Sequence, residues 1–195
     1  MSSFHCGLCG VRGCSKKDAA GGPYPAGCPT LREENAEYMK AYFKDETDLL
    51  MARVSARVSP DHDECRILKT MHFAKECGFM HIGLAFCLNV KEQAKEIEMI
   101  FRENGFDVES VICKVGHMDR NDLGVCGSNR MCNPIAQAEF LNGVGTQLNV
   151  IVGLCVGHDA LFIRHSNAPV TVLAAKDHVY NHAPLEYLKD RKDNS

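Results

Sequence analysis

The sequence predicts an α/β protein: a three-layer αβα domain on a mostly parallel sheet of about four strands, preceded by a small Cys-rich segment and by helices. Three observations carry that expectation. From residue 81 onward, short apolar runs of strand length alternate with stretches of helical periodicity. The 195 residues are 45% hydrophobic, enough for one ordinary domain with a real core. Residues 1–30 are instead rich in Gly, Cys and Pro, with few large apolar side chains, and cannot build a core alone. The expected division is 1–30 as the Cys-rich segment, 31–183 as the α/β domain with its N-terminal helices, and 184–195 as a tail.

Residues 32–58 read as helix in two pieces. Ala36, Met39 and Phe43 share a face in the first. Thr47 is the expected N-cap of the second, where Leu50, Val54 and Val58 repeat at helical spacing. Ser59-Pro60 supplies an N-cap and a first-turn proline for a helix to about Cys77, with Ile67, Leu68, Met71 and Ala74 inward and Gly78 as its stop. Residues 81–87 form the first expected strand. Residues 90–104 form an amphipathic helix with Val90, Ala94, Ile97 and Phe101 on one side and Gly105 as its C-cap. Residues 109–113 are the second strand and 116–132 a long polar loop. Asn133-Pro134 opens a helix to about Asn142. Residues 148–155 are the third strand, a short helix starts near His158, and 169–175 are the fourth strand. A βαβ series of this kind implies parallel pairing with helices on both faces, as in flavodoxin-like or Rossmann-like sheets. The charged tail from Lys189 reads as a frayed, solvated end.

The net charge is −3, and no basic stripe with interleaved aromatics is present, which argues against a nucleic-acid partner. No run approaches the roughly 18 apolar residues of a membrane helix, and the first residues have no basic start or apolar stretch, so the expected compartment is the cytoplasm. Thiols stay reduced there. The eleven cysteines, an odd number in spaced sets, then favour metal ligation over a disulfide framework.

Cys6, Cys9, Cys14 and Cys28 form the first set. The two-residue gap between Cys6 and Cys9 lets two sulfurs reach one metal from a tight turn, and glycines at 7, 10 and 13 permit the bends. Four thiolates suit tetrahedral zinc or an iron–sulfur cluster, 4Fe–4S above all. The knuckle Cys6-Gly-Leu-Cys9-Gly leans toward zinc; the irregular spacing and Cys28-Pro29 lean toward a cluster. His5 is a possible substitute ligand.

The second set lies at strand ends. All strands of a parallel sheet finish at one edge, where ligands bind in the crevice at which strand order reverses. Cys87, Cys113 and Cys155 close their strands, and Cys132 sits just before a helix N-terminus, a setting that favours a thiolate. The four are candidates for a second metal or cluster, against the plain alternative of buried small hydrophobes. Cys65 and Cys77 read as packing residues; Cys126 lies in the loop. Lys114 and His117 follow the second strand, His158 and Asp159 the third, and Lys176, Asp177, His178 and His182 the fourth. Such groups serve as proton donors or anion anchors, or as surface and capping residues. Of these Cys155, His158, Lys114, Asp177 and His182 are the candidate catalytic residues. His81 belongs to the opposite edge; His62 and His72 read as helix-surface residues.

The strings Gly153-Leu-Cys-Val-Gly-His-Asp159-Ala-Leu-Phe162, Ala168-Pro169-Val-Thr171, Lys176-Asp177-His178, Cys132-Asn-Pro-Ile-Ala-Gln137 and Ile82-Gly-Leu-Ala-Phe-Cys87 resemble those of an uncharacterised family of archaea and anaerobic bacteria, a domain of unknown function that carries a metal-binding label. The resemblance runs from about Cys6 to Pro184. It implies metal binding through the cysteines and supplies no reaction; an anaerobic setting would suit an oxygen-sensitive iron–sulfur centre.

Three functions compete. The first is an iron–sulfur protein in electron transfer or small-molecule chemistry, with a redox or small-molecule partner. The second is a zinc-stabilised module or sensor that holds a small ligand. The third is a hydrolase or transferase in which Gly153-x-Cys155-x-Gly157 is a nucleophile elbow and Asp177 and His182 complete the set. Oligomeric state is not legible.

Overall fold

The computed structural model describes residues 5–11, 13–15, 24–58, 63–127 and 130–193, the side chain of Asp193 excepted. The chain divides into two compact units, Met1–Ser55 and Ala56–Ser195.

In the first unit three short 3-10 turns, Cys6–Leu8, Gly13–Ser15 and Pro29–Leu31, precede helix α1 (Asn35–Ala41). The Asn35 amide anchors the last turn by donating to the Pro29 and Thr30 carbonyls at 2.9 and 3.1 Å. Met39 and Phe43, which share a face by their spacing, are both exposed. Helix α2 (Glu46–Val58) follows. Its cap is Asp45 rather than Thr47: the Asp45 carboxylate accepts the N–H groups of Thr47 and Asp48 at 2.8 and 3.0 Å. A carboxylate satisfies two orphan amides there, and its charge suits the helix N-terminus.

The second unit is the α/β body. The expected helix start at Ser59-Pro60, and His62 with it, lies outside the described residues; helix α3 spans Arg66–Glu76. Met71 and Ala74 are buried as expected, whereas Leu68 is exposed and Thr70 is buried in its place. The Thr70 hydroxyl donates to the Arg66 carbonyl at 2.8 Å, which makes that burial tolerable. Then come β1 (His81–Phe86), α4 (Lys91–Glu103), β2 (Asp107–Ile112), α5 (Pro134–Val144), β3 (Leu148–Val152), α6 (Val156–His165), β4 (Val170–Ala174) and α7 (Tyr187–Asp193). Helix α7 occupies what the sequence suggests is a frayed tail. Asn133 caps α5 through its side-chain oxygen, which accepts the Ala136 N–H at 3.0 Å, with Pro134 in the first helical position.

All four strands are parallel, in the order β2-β1-β3-β4. Successive crossovers place β2 on one side of β1 and β3 on the other. The chain reverses direction across the sheet between β1 and β3, and the loops leaving these strands diverge there. Helices α3 and α4 pack on one side of the sheet, α5 and α6 against each other on the other, which makes three layers. Val90, Ala94, Ile97 and Phe101 are buried, the face the periodicity of α4 predicts. The central strand β3 is buried at every residue, while β4, at the sheet's end, is half-buried throughout. Arg66 covers that edge, donating to the Val172 carbonyl at 2.8 Å and the Thr171 hydroxyl at 3.1 Å. Asn149 in β3 is fully buried with its partners in place: it accepts from Thr146 and donates to Ser166, both at 2.7 Å.

Candidate functional site

Strand β1 ends at Phe86 and delivers Cys87 to the C-terminal edge; strand β2 ends at Ile112 and delivers Cys113 beside it, its N–H donating to the Phe86 carbonyl at 2.9 Å. Cys155 arrives differently from the expected strand end. Strand β3 stops at Val152 because Gly153 takes a left-handed φ of +63°, and Cys155 becomes the N-cap of α6. Cys132 comes from the loop before α5, and its sulfur lies 3.5 Å from that of Cys113.

Lys176, just beyond β4, spans the switch point. Its ammonium donates to Cys87 Sγ at 3.1 Å and Cys155 Sγ at 3.5 Å. Burial works to lower the Lys176 pKa, but the hydrogen bond and charge of Cys87 and those of Cys155 outweigh it, and the net direction is upward. The two sulfurs therefore stabilise the charged ammonium. Cys113 is the opposite case. Burial pushes its thiol up to about 12; the Leu88 N–H at 3.4 Å works against this, and Cys132 and Cys87 add to it.

His158, in the first turn of α6, has its imidazole held below the usual range by burial, then by the charges of Lys176 and Lys114. The direction favours the neutral ring, and its buried Nδ1 has no hydrogen-bond partner among the described residues. Lys114 donates to the Arg130 carbonyl at 2.5 Å and so pins the loop. His117 is exposed, in a left-handed conformation (φ 52°). Asp177 and His182 do meet, but through the backbone. The Asp177 carboxylate accepts the N–H groups of Val179 and Tyr180, at 2.9 and 3.0 Å, while His182 Nδ1 lies 3.2 Å from the Asp177 N and 3.1 Å from the Ala175 carbonyl. Cys155 itself is in ordinary extended backbone (φ −72°, ψ 153°), without the strain a nucleophile elbow imposes on its central residue. His178 is exposed and lies 3.3 Å from the Asn89 amide. His81 is at the opposite edge, 3.7 Å from Asp107. His72 is exposed near Glu64. Cys126 is exposed, Cys65 is exposed rather than packed, and Cys77 is buried.

Two residues acquire a place that the sequence reading does not assign them. Lys176 is one of several polar residues after β4 until the fold sets it on two sulfurs. Gln137 of α5 is fully buried and donates to the Val111 and Phe86 carbonyls at 2.8 and 3.3 Å, tying together the ends of β2 and β1. A glutamine on the inward face of an apolar helix is the one signal that marks it in advance.

Asp159 yields a pH prediction. Burial raises its carboxyl pKa from 3.8 to about 6, and its Oδ1 has no partner among the described residues. The folded state binds this proton more tightly than the unfolded state. Its stabilising contribution is complete below the unfolded pKa and is lost as pH rises through about 6. In urea melts, Asp159→Asn will flatten stability between those limits and raise it at neutral pH. The gain should be about 1 kcal/mol once solvent screening of a partly exposed group is allowed for. An unchanged slope would assign the pH dependence elsewhere.

The first cysteine set belongs to the other unit. Cys6, Cys9, Cys14 and Cys28 line one cavity of about 340 Å³, with Tyr24, Pro25 and Thr30. Cys28 is buried, Cys9 half-buried, and Cys6 and Cys14 exposed. The Cys9 thiol donates to the Val11 carbonyl at 3.1 Å. A soft four-sulfur donor set around a common space fits zinc or an iron–sulfur cluster in its chemistry. Among the described residues no group of three or more His, Cys, Asp or Glu already stands in metal-holding geometry, so the sulfurs must close inward to share an ion. At the sheet edge, a metal cation would first have to displace the Lys176 ammonium.

The family described as "Protein of unknown function (DUF1847)" matches residues 28–173. An uncharacterized protein of Methanocaldococcus jannaschii, MJ0455, is 40% identical over 147 residues, which is 72% of this chain and 76% of that protein. No solved structure matches. The family match takes in Cys28, Cys87, Cys113, Cys132 and Cys155. It is narrower than the resemblance read from the motifs, beginning after Cys14 and ending before Lys176. No helix among the described residues is long and apolar enough to cross a membrane.

Proposed function

The chain belongs to the family described as protein of unknown function DUF1847, and for this member we propose a metal-binding protein with two cysteine-lined sites. Cys6, Cys9, Cys14 and Cys28 hold an iron–sulfur cluster or zinc. The sheet edge around Cys87, Cys155 and Lys176 carries redox or small-molecule chemistry. The observation that carries the reading is that four thiols spread over 23 positions line a single cavity in a segment with few apolar residues to order it. Metal binding contributes roughly 10–16 kcal/mol in zinc peptides, well above the cost of fixing a few turns. A cluster would supply one-electron transfer; zinc would supply a cross-link between turns.

The chain's own residues do the rest at the edge. Lys176 holds positive charge within hydrogen-bond distance of the Cys87 and Cys155 sulfurs. His158 offers an unsatisfied ring nitrogen for a proton or a ligand. The same Lys176 arrangement also supports a second reading, in which zinc only stabilises the N-terminal segment and the edge binds a small ligand.

Metal and sulfide analysis, with a visible spectrum, on the full chain made without oxygen decides among these. Iron with equimolar sulfide and broad absorption near the violet supports the cluster. One zinc and no colour supports the second reading. A chain that stays metal-free after reconstitution with zinc, and separately with iron and sulfide, overturns both.

A further inference from the structure

We infer that Cys113 and Cys132 form a reversible dithiol–disulfide couple at the sheet edge, one that exchanges two electrons with small-molecule disulfides. Their sulfurs are 3.5 Å apart although the residues are 19 positions apart in the chain. Backbone holds them there. The Asn133 N–H donates to the Cys113 carbonyl at 2.8 Å, and Asn133 caps α5, so the residue beside Cys132 is fastened to the end of β2. A disulfide has sulfurs about 2.05 Å apart, so closing the bond asks for a shift of roughly 1.5 Å between two side chains already in contact.

The pair is asymmetric. Cys113 is 2% exposed, whereas Cys132 is half-buried and open to solvent. An external disulfide therefore meets Cys132 first. The Cys132 thiolate attacks one sulfur of the small disulfide, an S–S bond forms, and the first small thiolate leaves with the proton that Cys132 has given up. Cys113 then attacks the Cys132 sulfur. The mixed bond breaks, and the proton of Cys113 goes out on the second small thiolate. Two protein thiols and one small disulfide become one protein disulfide and two small thiols, and the reverse sequence restores them. Cys87 and Cys155 take no part, since both sulfurs are engaged by Lys176. Neither Cys113 nor Cys132 belongs to the N-terminal quartet, so loss of metal there leaves the couple intact.

The test uses the full chain, reduced and then equilibrated anaerobically with graded mixtures of oxidised and reduced glutathione. Acid quenching, alkylation and peptide mapping follow, with metal content read on the same samples. The expected result is a Cys113–Cys132 linked peptide that rises with the glutathione ratio along a two-electron curve and vanishes on reduction. In Cys113→Ser, glutathione should accumulate on Cys132; in Cys132→Ser, Cys113 should take up none. Complete alkylation of both cysteines in the unmodified protein at every ratio overturns the couple, as does a Cys132 bond to Cys126 instead. The mapping of the unmodified chain is decisive even if a variant fails to fold.

Discussion

Gly83→Ala will destabilise the α/β unit by about 3 kcal/mol or more, on the scale of the most damaging core substitutions. Gly83 lies in the middle of β1, buried, facing α5. A Cβ there would sit 2.0 Å from Asn149 Oδ1 and 2.8 Å from Leu141 Cδ1. Neither can retreat at small cost. Leu141 is fully buried in the packed face of α5. Asn149 is fully buried too, and the oxygen in question accepts the Thr146 hydroxyl while the amide nitrogen donates to Ser166. Moving it strands at least one buried polar group, at about 1–3 kcal/mol, in addition to the overpacking. Urea denaturation followed by circular dichroism measures the change. A loss below about 1 kcal/mol would mean that β1 and β3 can part without breaking the Asn149 network.

If the N-terminal unit holds metal as proposed, Cys28→Ser will abolish its stable binding. Outer-sphere partners of a metal ligand are already worth about 10–100-fold in affinity, so removing one of four thiolates should cost more than about a hundredfold. Cys28 is the buried member of the set and leads directly into the Pro29–Leu31 turn, so the cavity cannot replace its sulfur from solvent. Serine preserves size but is a hard, protonated oxygen at neutral pH, poorly suited to zinc or to an iron–sulfur cluster. Cys126→Ser is the control, since Cys126 is exposed in the loop after β2. Metal retained after dialysis against a chelator is the readout, together with protection of residues 5–31 from protease. Equal retention in Cys28→Ser and the control would remove Cys28 from the ligand set.

The α/β architecture was legible because its signals are local. Apolar runs at strand length, the α4 face and the Asn133-Pro134 cap depend only on neighbours within a turn or two. Expectations failed where the answer depended on what covers a face. Leu68 has helical spacing with Met71 and Ala74, yet spacing assigns a face and does not say whether anything packs on it. Leu148 to Cys155 reads as one strand because the run is apolar apart from Asn149; the left-handed turn at Gly153 ends the strand three residues sooner. Asp177 and His182 had a suggestive order along the chain, but the carboxylate is spent on its own turn.

Two sets of thiols and the alternation of strands and helices were determined by the sequence alone, since composition and short-range period are written residue by residue. Which thiol meets which partner was decided only by tertiary structure. The parallel order β2-β1-β3-β4 puts Cys87 between the ends of two neighbours, brings Cys132 onto Cys113, and carries Lys176 back to two sulfurs. Those distances depend on strand order and loop closure over tens of residues, and such separations leave no trace in local periodicity.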